Sequence, residues 1–528
     1  MNSESHTQRK TFAIISHPDA GKTTVTEKML LLGKAIQMAG TVRAKKSSRQ
    51  TTSDWMAMER ERGISVTTSV MQFLYKETVI NLLDTPGHAD FSEDTYRTLT
   101  AVDSTIMVVD GAKGVEPRTR KLIEVCRMRD SPVITLVNKL DRESLDALSM
   151  IDHLENELNI ECVPLTWPIG SGRSFLGIYR FDQDEIIQFK RGHGATLYEY
   201  PIIQGLHSDA AKEFLGLMYA EVAESIELVN EACNTFDIEA YQTGQQSPVF
   251  FGSALQNFGM TELLDKFVLI APGPQPRETD NGVIEPEGST FSGFIFKIQA
   301  NMNPKHRDRI AFLRICSGIY RKGMKMKHVR LGRELKVSDA VTFMAGSRAQ
   351  VEEAYPGDII GLHNHGTIRI GDSFTQGSDL HFRGIPSFAP ELFRKVRVKD
   401  PTHAKRLKTG MLQLSEEGVT QIFNPVTKQD MIVGAIGVLQ FELVVFRLQE
   451  EYGAECIFEP CDIFTVRWVS SEDTEKLTQF SNRVRNQLAV DGGGHLTFLA
   501  TSRPNLQLVQ ERWPEIQFSA MRELATSE

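Results

Sequence analysis

The sequence predicts an α/β domain with a largely parallel sheet, followed by an antiparallel β-barrel domain and a C-terminal α+β domain. Three observations predict this order. Short apolar runs in the first half of the chain each end in a polar or glycine-containing loop, as buried parallel strands do. A proline-rich segment, Ala271–Pro276, cannot continue a helix and marks a linker. Alternating short strands with glycine-rich turns follow the linker, and strand and helix patterns then alternate to the end of the chain.

The first apolar run, Thr11–Ser16, predicts a buried parallel strand, and Glu27–Leu32 predicts a helix. The loop between them contains Ser16, His17, Pro18, Asp19, Ala20, Gly21, Lys22, Thr23 and Thr24. A strand, such a loop and a helix form a phosphate-binding loop, in which backbone N–H groups and the helix N-terminus hold anionic oxygens. We expect Lys22 to reach the β- and γ-phosphates of a nucleotide and the Thr23 hydroxyl to bind Mg²⁺. Ser16 stands where the usual pattern has glycine, whereas Gly21 keeps the position of closest phosphate approach.

The second apolar run, Val79–Leu83, predicts a strand that leads into the residues Asp84, Thr85, Pro86, Gly87 and His88. A carboxylate at this strand end can hold Mg²⁺ through water. The N–H of Gly87 can contact a γ-phosphate and swing away after hydrolysis, which makes this loop a switch. His88 is the candidate catalytic residue, because an imidazole here can orient the attacking water. The alternative for His88 is a surface histidine in a turn.

The third run, Val133–Val137, predicts a strand followed by Asn138, Lys139, Leu140 and Asp141. The Asp141 carboxylate can accept the N1–H and the N2 amino hydrogens of guanine, a donor pair that adenine lacks. Asn138 would brace the loop, and Lys139 would lie over the base. A later run, Val249–Gly252, leads to Ser253, Ala254 and Leu255, which could supply a backbone N–H to the guanine carbonyl oxygen. All these loops follow strands, as expected at the carboxyl ends of a doubly wound sheet, and together they predict that the chain binds and hydrolyses GTP.

Two further runs point to a family. Arg62–Thr67 reads RGISVT, and Asp84–His88 is followed by Asp90 and Phe91. Both resemble elements of the translational GTPases of the elongation factor G/Tu superfamily. Within it the chain is similar to the bacterial peptide chain release factor 3 family in four runs. These are SHPDAGKTT at Ser16–Thr24, RGISVTTSVMQF at Arg62–Phe73, NKLDR at Asn138–Arg142 and SGFIFKIQANMNPKHRDRIAFLRICSG at Ser292–Gly318.

The resemblance implies a P-loop GTPase domain followed by a β-barrel, GTP or GDP and Mg²⁺ as cofactors, and hydrolysis of GTP to GDP and phosphate that the ribosome activates. It also implies a role in translation termination, in which class I peptide release factors dissociate from the ribosome after peptide release. The expected partners are therefore ribosomal RNA, ribosomal proteins and class I release factors. The alternative is a GTP-gated ribosome-binding factor of another kind, in translocation or ribosome protection, whose hydrolysis serves only its own release.

The resemblance places switch I at Ala35–Thr67 and switch II at Gly87–Asp103. The family's metal-binding threonine in switch I corresponds to Ser65, whose hydroxyl can still coordinate Mg²⁺ together with Thr23 and, through water, Asp84. Thr67 is the alternative ligand. Ile64 matches an apolar residue that restrains His88, with core packing as an equal alternative.

Composition limits the remaining possibilities. The chain has 528 residues, a net charge of -9 and 41% hydrophobic residues, which is ordinary for a globular protein of about three domains. Its polar N-terminus and the absence of a long apolar run predict a cytoplasmic protein with no membrane association. Its six cysteines are scattered and predict reduced structural thiols. We expect a monomer that does not bind DNA.

Two groups of basic residues fit either a solvated face or a ribosome contact: Arg321, Lys322, Lys325, Lys327, Arg330 and Arg333, and Arg394, Lys395, Arg397, Lys399, Lys405, Arg406 and Lys408.

The predicted organisation has four parts: a flexible N-terminus at 1–9, the GTP-binding domain at 10–272, the β-barrel domain at 277–386 and the α+β domain at 387–528. Residues Ile169–Tyr200 predict an inserted β-hairpin region without catalytic residues. In the last domain, strand patterns at Phe393–Lys399, Val419–Asn424 and Ala454–Glu459 alternate with helix patterns at Thr402–Ser415 and Ala435–Glu451. This alternation predicts a ferredoxin-like α+β layer, and the sequence shows no internal repeat.

Overall fold

The computed structural model describes residues 9–36, 65–193, 196–300, 309–344, 347–427 and 430–524, without the side chains of Arg118, Met344 and Ser347. Residues 1–8 of the predicted flexible N-terminus, most of the predicted switch I and the predicted gate residue Ile64 lie outside the described residues. Arg9, the last residue of the predicted flexible segment, instead begins the first strand. Within the described ranges, no helix combines the length and apolar character that crossing a membrane requires.

The first domain contains a seven-stranded sheet and a smaller inserted sheet. Its strands are β1 (Arg9–Ser16), β2 (Ser69–Tyr75), β3 (Thr78–Asp84), β4 (Ser104–Asp110), β5 (Val133–Asn138), β6 (Glu161–Pro164), β7 (Thr166–Ile169), β8 (Gly177–Arg180), β9 (Glu185–Gln188), β10 (Ile202–Gln204) and β11 (Gln246–Phe251). Its helices are α1 (Lys22–Leu32), α2 (Ser92–Thr100), α3 (Pro117–Arg127), α4 (Ala147–Leu158), α5 (Asp209–Leu215), α6 (Tyr219–Ala232), α7 (Ile238–Gln242) and α8 (Met260–Ile270).

The large sheet has the order β2-β3-β1-β4-β5-β11-β6. All neighbouring pairs are parallel except β2 and β3. The central strands are buried along almost their whole length because helices cover both faces, which explains their continuous apolar runs. Helix α4 begins at Ala147 because the Asp146 side chain accepts a hydrogen bond from the Ser149 N–H at 3.1 Å and caps the helix.

The inserted sheet is antiparallel, with the order β10-β9-β8-β7. It confirms that the region around 169–200 is a β insertion, and it extends beyond a single hairpin to four strands.

The second domain is antiparallel throughout. Its strands are β12 (Arg277–Thr279), β13 (Gly282–Ile284), β14 (Ser292–Ala300), β15 (Arg309–Ser317), β16 (Tyr320–Arg321), β17 (Lys325–His328), β18 (Arg333–Lys336), β19 (Val341–Met344), β20 (Ser347–Gln350), β21 (Glu353–Ala354), β22 (Ile359–His363) and β23 (Ser373–Thr375). Eight of them form one sheet in the order β18-β17-β23-β14-β15-β22-β19-β20. The antiparallel β domain predicted after the linker is therefore confirmed. Strand β21 has only two residues because a turn starts at Tyr355, whose N–H donates to Asp358 Oδ2 at 2.9 Å.

The third domain contains a second eight-stranded sheet. Its strands are β24 (Pro386–Phe388), β25 (Leu392–Val398), β26 (Gln421–Pro425), β27 (Met431–Ala435), β28 (Cys456–Pro460), β29 (Thr465–Ser470), β30 (Leu488–Asp491), β31 (Leu496–Ala500), β32 (Gln517–Ser519) and β33 (Met521–Glu523). Its helices are α9 (Ala404–Glu416), α10 (Val438–Tyr452), α11 (Thr474–Arg483) and α12 (Arg503–Arg512).

This sheet joins two successive βαββαβ units, which confirms the ferredoxin-like prediction and corrects the expectation of no internal repeat. Its order is β28-β25-β27-β26-β30-β31-β29-β32, so the units meet edge to edge at β26 and β30. The repeat is structural: each unit buries its own helices on its own core, with different apolar residues. The predicted helix Ala435–Glu451 concealed strand β27 because its apolar run continues the strand into the helix.

The first and second domains meet at the amino-terminal ends of the first domain's strands, in a contact that we name the barrel junction (Arg9, Asp103, Arg277, Arg314 and Asp358). Arg314 donates to Asp103 Oδ2 at 2.5 Å, and both side chains are 1% exposed. Arg277 donates to the other oxygen of Asp103 at 2.9 Å, and Arg9 pairs with Asp358 at 2.9 Å. Buried, mutually paired charges therefore connect these two domains.

Candidate nucleotide-binding site

Four predicted loops converge at the carboxyl end of the large sheet. Ser16 ends β1, Asp84 ends β3 and Asn138 ends β5, while Ser253 follows β11 closely. Because β1 pairs with β3 and β5 pairs with β11, the loops lie side by side at one edge of the sheet.

The phosphate-binding loop is shaped by Gly21, which has φ of 101°. A Cβ at this position would lie 2.4 Å from Asn138 Nδ2, so both the backbone conformation and the space require glycine. Ser16 is 2% exposed, and its hydroxyl donates to the carbonyl of His17 at 2.9 Å. Pro18 and the exposed Asp19 form the turn, and Ala20 N donates back to His17 O at 3.3 Å.

Helix α1 begins at Lys22, directly after the loop, with Thr23 and Thr24 in its first turn. The ammonium of Lys22 contacts Asp84 Oδ1, and the two side chains are 5% and 1% exposed. The structure therefore pairs the predicted phosphate-binding cation with the predicted metal-side carboxylate, which keeps both buried charges compensated.

Two hydroxyls lie beside this pair. Thr23 Oγ1 and Ser65 Oγ are 3.5 Å apart. Hydroxyl and carboxylate oxygens are the donors that Mg²⁺ accepts, and Mg²⁺ sites use few protein ligands together with water and phosphate oxygens. Thr23, Ser65 and Asp84 therefore fit a Mg²⁺ site. Thr67, the alternative ligand, instead lines a cavity of about 30 Å³ that Lys297 and Arg447 also line.

Asn138 ties the phosphate loop to the base-side loops. Its Nδ2 donates to Ala20 O at 2.9 Å, and its Oδ1 accepts the backbone N–H of Ala254 at 2.9 Å. Lys139, with φ of 74°, donates to Asp110 Oδ2 at 2.7 Å and to the carbonyl of Asp19. Burial alone would raise the pKa of the Asp110 carboxyl, but the hydrogen bond from Lys139 helps to hold this pKa below its ordinary value. Side chains at the ends of β4 and β5 therefore hold the phosphate-binding loop and the loops after β5 and β11 together.

Asp141 and the loop after β11 are held together. Ser253 Oγ donates to Asp141 Oδ1 at 2.6 Å, Leu140 is buried, and Leu255 is 47% exposed at the loop apex. The carboxylate of Asp141 is thus oriented by the same loop that was predicted to contact the guanine.

Residues of the insertion form hydrogen bonds with both of these loops. The hydroxyl of Tyr200 donates to Gln256 O at 2.8 Å, and Gly192 N donates to Gln256 Oε1 at 3.0 Å. Gly172 N donates to Leu140 O at 2.9 Å. The insertion therefore contributes to the position of the base-side loops although it supplies no predicted site residue.

The switch II residues follow β3. Thr85 Oγ1 donates to Ile14 O at 2.7 Å, and Pro86 O accepts from Thr95 at 3.5 Å. A Cβ on Gly87 would lie 3.6 Å from Pro18 Cα, so this glycine packs against the phosphate loop. The next residue, His88, has a side chain that is 36% exposed, so it lies at the surface of the site.

Switch II also contacts the other two domains, at what we name the switch junction (Val66, Asp90, Phe91, Asp94, Lys297, Leu439 and Leu443). Val66, Phe91 and Leu443 form one buried apolar cluster. Lys297 of β14 donates to Thr68 O at 2.5 Å and lies 3.4 Å from Asp94. Leu439 N, at the start of α10, donates to Asp90 Oδ2 at 2.8 Å.

Several residues that hold the site were not predicted from the sequence: Asp110, Glu116, Tyr200 and Gln256. Glu116 lies 3.1 Å from His17 Nε2. Asp110 ends β4 at the same sheet edge as Asp84, so its position at a strand end was an available signal. Glu116, Tyr200 and Gln256 lie in loops and an insertion, where no local pattern indicates a contact with the site.

Three family models match the chain. Residues 7–273, half of the chain, match the elongation factor Tu GTP binding domain. Residues 290–377 match elongation factor G domain 2, and residues 382–510 match the C-terminal domain of class II release factor RF3. Among solved structures, a crystal structure from Thermus thermophilus aligns with a TM-score of 0.70 and 22% sequence identity, over 89% of this chain and 71% of that chain. At this identity the likeness establishes a shared fold.

Proposed function

Because the chain belongs to the elongation factor Tu GTP-binding domain family and is a class II release factor RF3-like translational GTPase, we propose that it works in translation termination. In this proposal it binds the ribosome after peptide release and promotes the dissociation of the class I release factor that read the stop codon. GTP hydrolysis on the ribosome then allows it to leave. It acts as a monomer in the cytoplasm, where its ribosomal partner is found.

One observation carries the proposal: a built GTP site and a release-factor-type C-terminal domain occur in the same chain. Residues 382–510 match the release factor model, and Asp90 of switch II contacts this domain directly. Such a contact favours termination over translocation or ribosome protection, because it would let the nucleotide state affect the domain that matches the release factor model.

The phosphates of GTP would lie in the cradle between Pro18 and Thr24. Backbone N–H groups of the loop and the N-terminus of α1 would hold the anionic oxygens, and Lys22 would exchange its contact with Asp84 for the β- and γ-phosphates. Asp141, oriented by Ser253, would accept the N1–H and N2 amino hydrogens of guanine. With ATP this carboxylate would remain unpaired, at a cost of about 1–3 kcal/mol, which explains a preference for guanine.

Mg²⁺ would be held by Thr23 and Ser65, with Asp84 acting through water. When bound, Mg²⁺ neutralises charge on the β- and γ-phosphate oxygens. The proximity of the Thr23 and Ser65 hydroxyls supports Ser65 over Thr67 as the second ligand.

Hydrolysis would depend on His88 as the residue that orients the attacking water. It directly follows Gly87, which packs against the phosphate loop, so its imidazole is close to where a γ-phosphate would lie. The ribosome would bring it into its active position. Positioning a general base or water-orienting group contributes about 10²–10⁴-fold to a rate.

Many of the basic residues in the two predicted groups are ion-paired. The first group forms the pairs Arg321–Glu353, Lys322–Glu352, Lys325–Glu334, Lys327–Asp379 and Arg330–Asp372. In the second group, Lys395, Arg397 and Lys399 are paired with carboxylates. Lys405, Arg406 and Lys408 are exposed on α9, and we propose this helix as a contact with ribosomal RNA.

The proposal is tested with post-termination ribosomes that carry a fluorescent class I release factor. Addition of the protein with GTP should speed departure of the labelled factor, whereas omission of the protein should not. Departure that is equally slow with and without the protein and GTP would contradict the termination role and favour the alternative factor types.

Two variants test the GTPase chemistry. His88→Ala should keep GTP affinity and lose about 10²-fold or more of ribosome-stimulated turnover. Asp141→Asn should shift preference from guanine towards xanthine nucleotides, measured by competition binding. Turnover of His88→Ala within a few-fold of wild type, or unchanged GTP selectivity of Asp141→Asn, would remove the role assigned to that residue.

A further inference from the structure

Asp90 lies between the candidate catalytic histidine and the C-terminal domain. Its backbone N–H donates to His88 Nδ1 at 3.3 Å, and its carboxylate Oδ1 lies 3.2 Å from the same nitrogen. The other carboxylate oxygen accepts the N–H of Leu439 at 2.8 Å. One residue therefore contacts both the imidazole and the first turn of helix α10, 349 positions away in sequence.

The C-terminal domain is shaped to receive this carboxylate. Gly437 precedes α10 and has φ of -143°, an extended conformation that any residue adopts. Its backbone therefore does not require glycine. A Cβ at Gly437, however, would lie 1.9 Å from Asp90 Cγ. The space in front of the helix is occupied by the Asp90 carboxylate, which the unpaired N–H groups and the dipole of a helix N-terminus attract.

Neighbouring contacts keep the two elements together. Phe91 packs with Leu443 of α10 and with Val66, and Arg97 of α2 donates to Gly418 O at 3.1 Å. Because Phe91 directly follows Asp90 in the chain, this apolar cluster holds the backbone of Asp90 close to α10. The position of α10 and the position of His88 are thus mechanically linked.

We propose that Asp90 is a positioning residue for His88, and that the C-terminal domain sets the orientation of the imidazole through the N-terminus of α10. This inference deepens the proposed function and rests on it. When α10 is docked, Asp90 is fixed through its carboxylate, and its backbone N–H holds the imidazole from one side through Nδ1. Movement of α10 on the ribosome changes this hold, so factor displacement and hydrolysis are coupled through one side chain.

The test uses two variants from opposite sides of the contact, in the full chain. Asp90→Asn keeps the size of the side chain and removes its charge. Gly437→Ala leaves switch II unchanged in sequence but displaces the carboxylate. Gly492→Ala is the matched control in the same domain, because its Cβ would have its nearest contact at 3.3 Å, with the hydroxyl of Ser415.

We expect kcat of ribosome-stimulated GTP hydrolysis to fall by about 10²-fold in Asp90→Asn and Gly437→Ala, as for a catalytic group misplaced by about 1 Å. The KM for ribosomes and the affinity for a fluorescent GTP analogue should stay within about twofold, because neither residue touches nucleotide. The double variant should lose little more than the more impaired single variant, since both changes act on the same contact. Unchanged kcat in both single variants would overturn the proposal.

A spectroscopic readout separates this inference from the proposed function. In GDP-bound protein with labelled histidines, the His88 ring signal, assigned with His88→Gln, should shift in Gly437→Ala and stay in place in Gly492→Ala. A shift in Gly437→Ala supports positioning even if the wild-type protein fails to displace release factors. An unmoved His88 signal in Gly437→Ala contradicts positioning even if the wild type displaces them.

Discussion

The barrel junction and the switch junction connect the same GTP-binding domain to the rest of the chain with different chemistry. The barrel junction lies at the amino-terminal ends of the strands and is built from buried ion pairs such as Asp103–Arg314. The switch junction lies on the nucleotide side and is built from a backbone hydrogen bond to Asp90, an apolar cluster, a small cavity and one lysine–carboxylate pair, Lys297–Asp94. Removing one partner of a buried ion pair costs about 3–5 kcal/mol, whereas one hydrogen bond from a backbone N–H to a carboxylate contributes about 1.5–3 kcal/mol.

The difference indicates a division of labour. A junction that depends mainly on a single hydrogen bond and apolar contacts is easier to break and remake, and it lies beside the predicted switch II residues. A junction of buried charges, distant from the nucleotide, is suited to holding domains in register.

The largest effect is expected at the barrel junction. Asp103→Ala leaves the buried guanidinium groups of Arg314 and Arg277 without their carboxylate and should lower the free energy of unfolding by about 3–5 kcal/mol. Denaturant titration measures the loss. Asp379→Ala, which breaks an exposed pair with Lys327, is the control and should cost at most about 1 kcal/mol. Equal losses in the two variants would erase the distinction between this junction and an ordinary surface pair.

Lys297→Met tests the charged part of the switch junction and should cost about 1–3 kcal/mol at neutral pH. Burial alone would raise the pKa of the Asp94 carboxyl, but Lys297, Arg97 and hydrogen bonds from Thr68 hold this pKa below its ordinary value. A carboxyl with a lowered pKa in the folded state contributes stability above its unfolded pKa and loses it as the pH falls.

Wild type should therefore lose more stability than Lys297→Met between about pH 5 and about pH 3. Lys325→Met, which breaks an exposed pair with Glu334, is the control. If the stability of wild type and that of Lys297→Met fall equally as the pH decreases, the pKa of Asp94 does not depend on this lysine.

A third variant changes a residue outside both junctions, so its effect serves as a reference for the effects of the junction variants. Tyr200→Phe removes the hydrogen bond to Gln256 O behind the guanine-side loop and should speed GDP release about fivefold, the equivalent of about 1 kcal/mol. Stopped-flow fluorescence measures the release. Ribosome-stimulated kcat should not change. Tyr198→Phe, a change of the neighbouring ring, serves as the control, and equal release rates in both variants would argue against support by the insertion.

The smallest effect is expected for Glu93→Gln. Burial raises the pKa of Glu93, which lines the same small cavity as Asp94 and Lys297, although Arg97 and hydrogen bonds oppose the shift. A carboxyl with a raised pKa in the folded state contributes stability below its unfolded pKa, and this contribution is lost as the pH rises through the folded pKa. Relative to wild type, Glu93→Gln should gain up to about 1 kcal/mol as the pH increases from about 4 to about 8. A constant difference across this range would mean that Glu93 does not titrate differently in the folded protein.

Much of the site's framework could be predicted from sequence because it is local. Each strand and the loop after it are contiguous in sequence, and the carboxyl-end rule brings the loops together without further information. The strands predicted at Thr11–Ser16, Val79–Leu83 and Val133–Val137 are all present in the structure.

The contacts that hold the site could not be predicted because they are distant in sequence and carry no local pattern. Nothing around Gly437 indicates that its missing side chain makes room for Asp90. Ala271–Pro276 predicted a linker, but the pairing of Asp103 with Arg314 across it depends on the packing of two domains. The repeat of the ferredoxin-like unit was equally hidden, because a shared topology requires only a shared apolar pattern.

The pairing of β26 with β30 has a consequence for chains that are incompletely synthesised or incompletely folded. Each half of the C-terminal sheet covers an open edge of the other, and an open edge readily recruits foreign strands. A chain truncated between the two units would expose the edge of β26 and would tend to aggregate with other truncated copies. Nonsense mutations in this region should therefore be selected against because their product is toxic as well as because activity is lost.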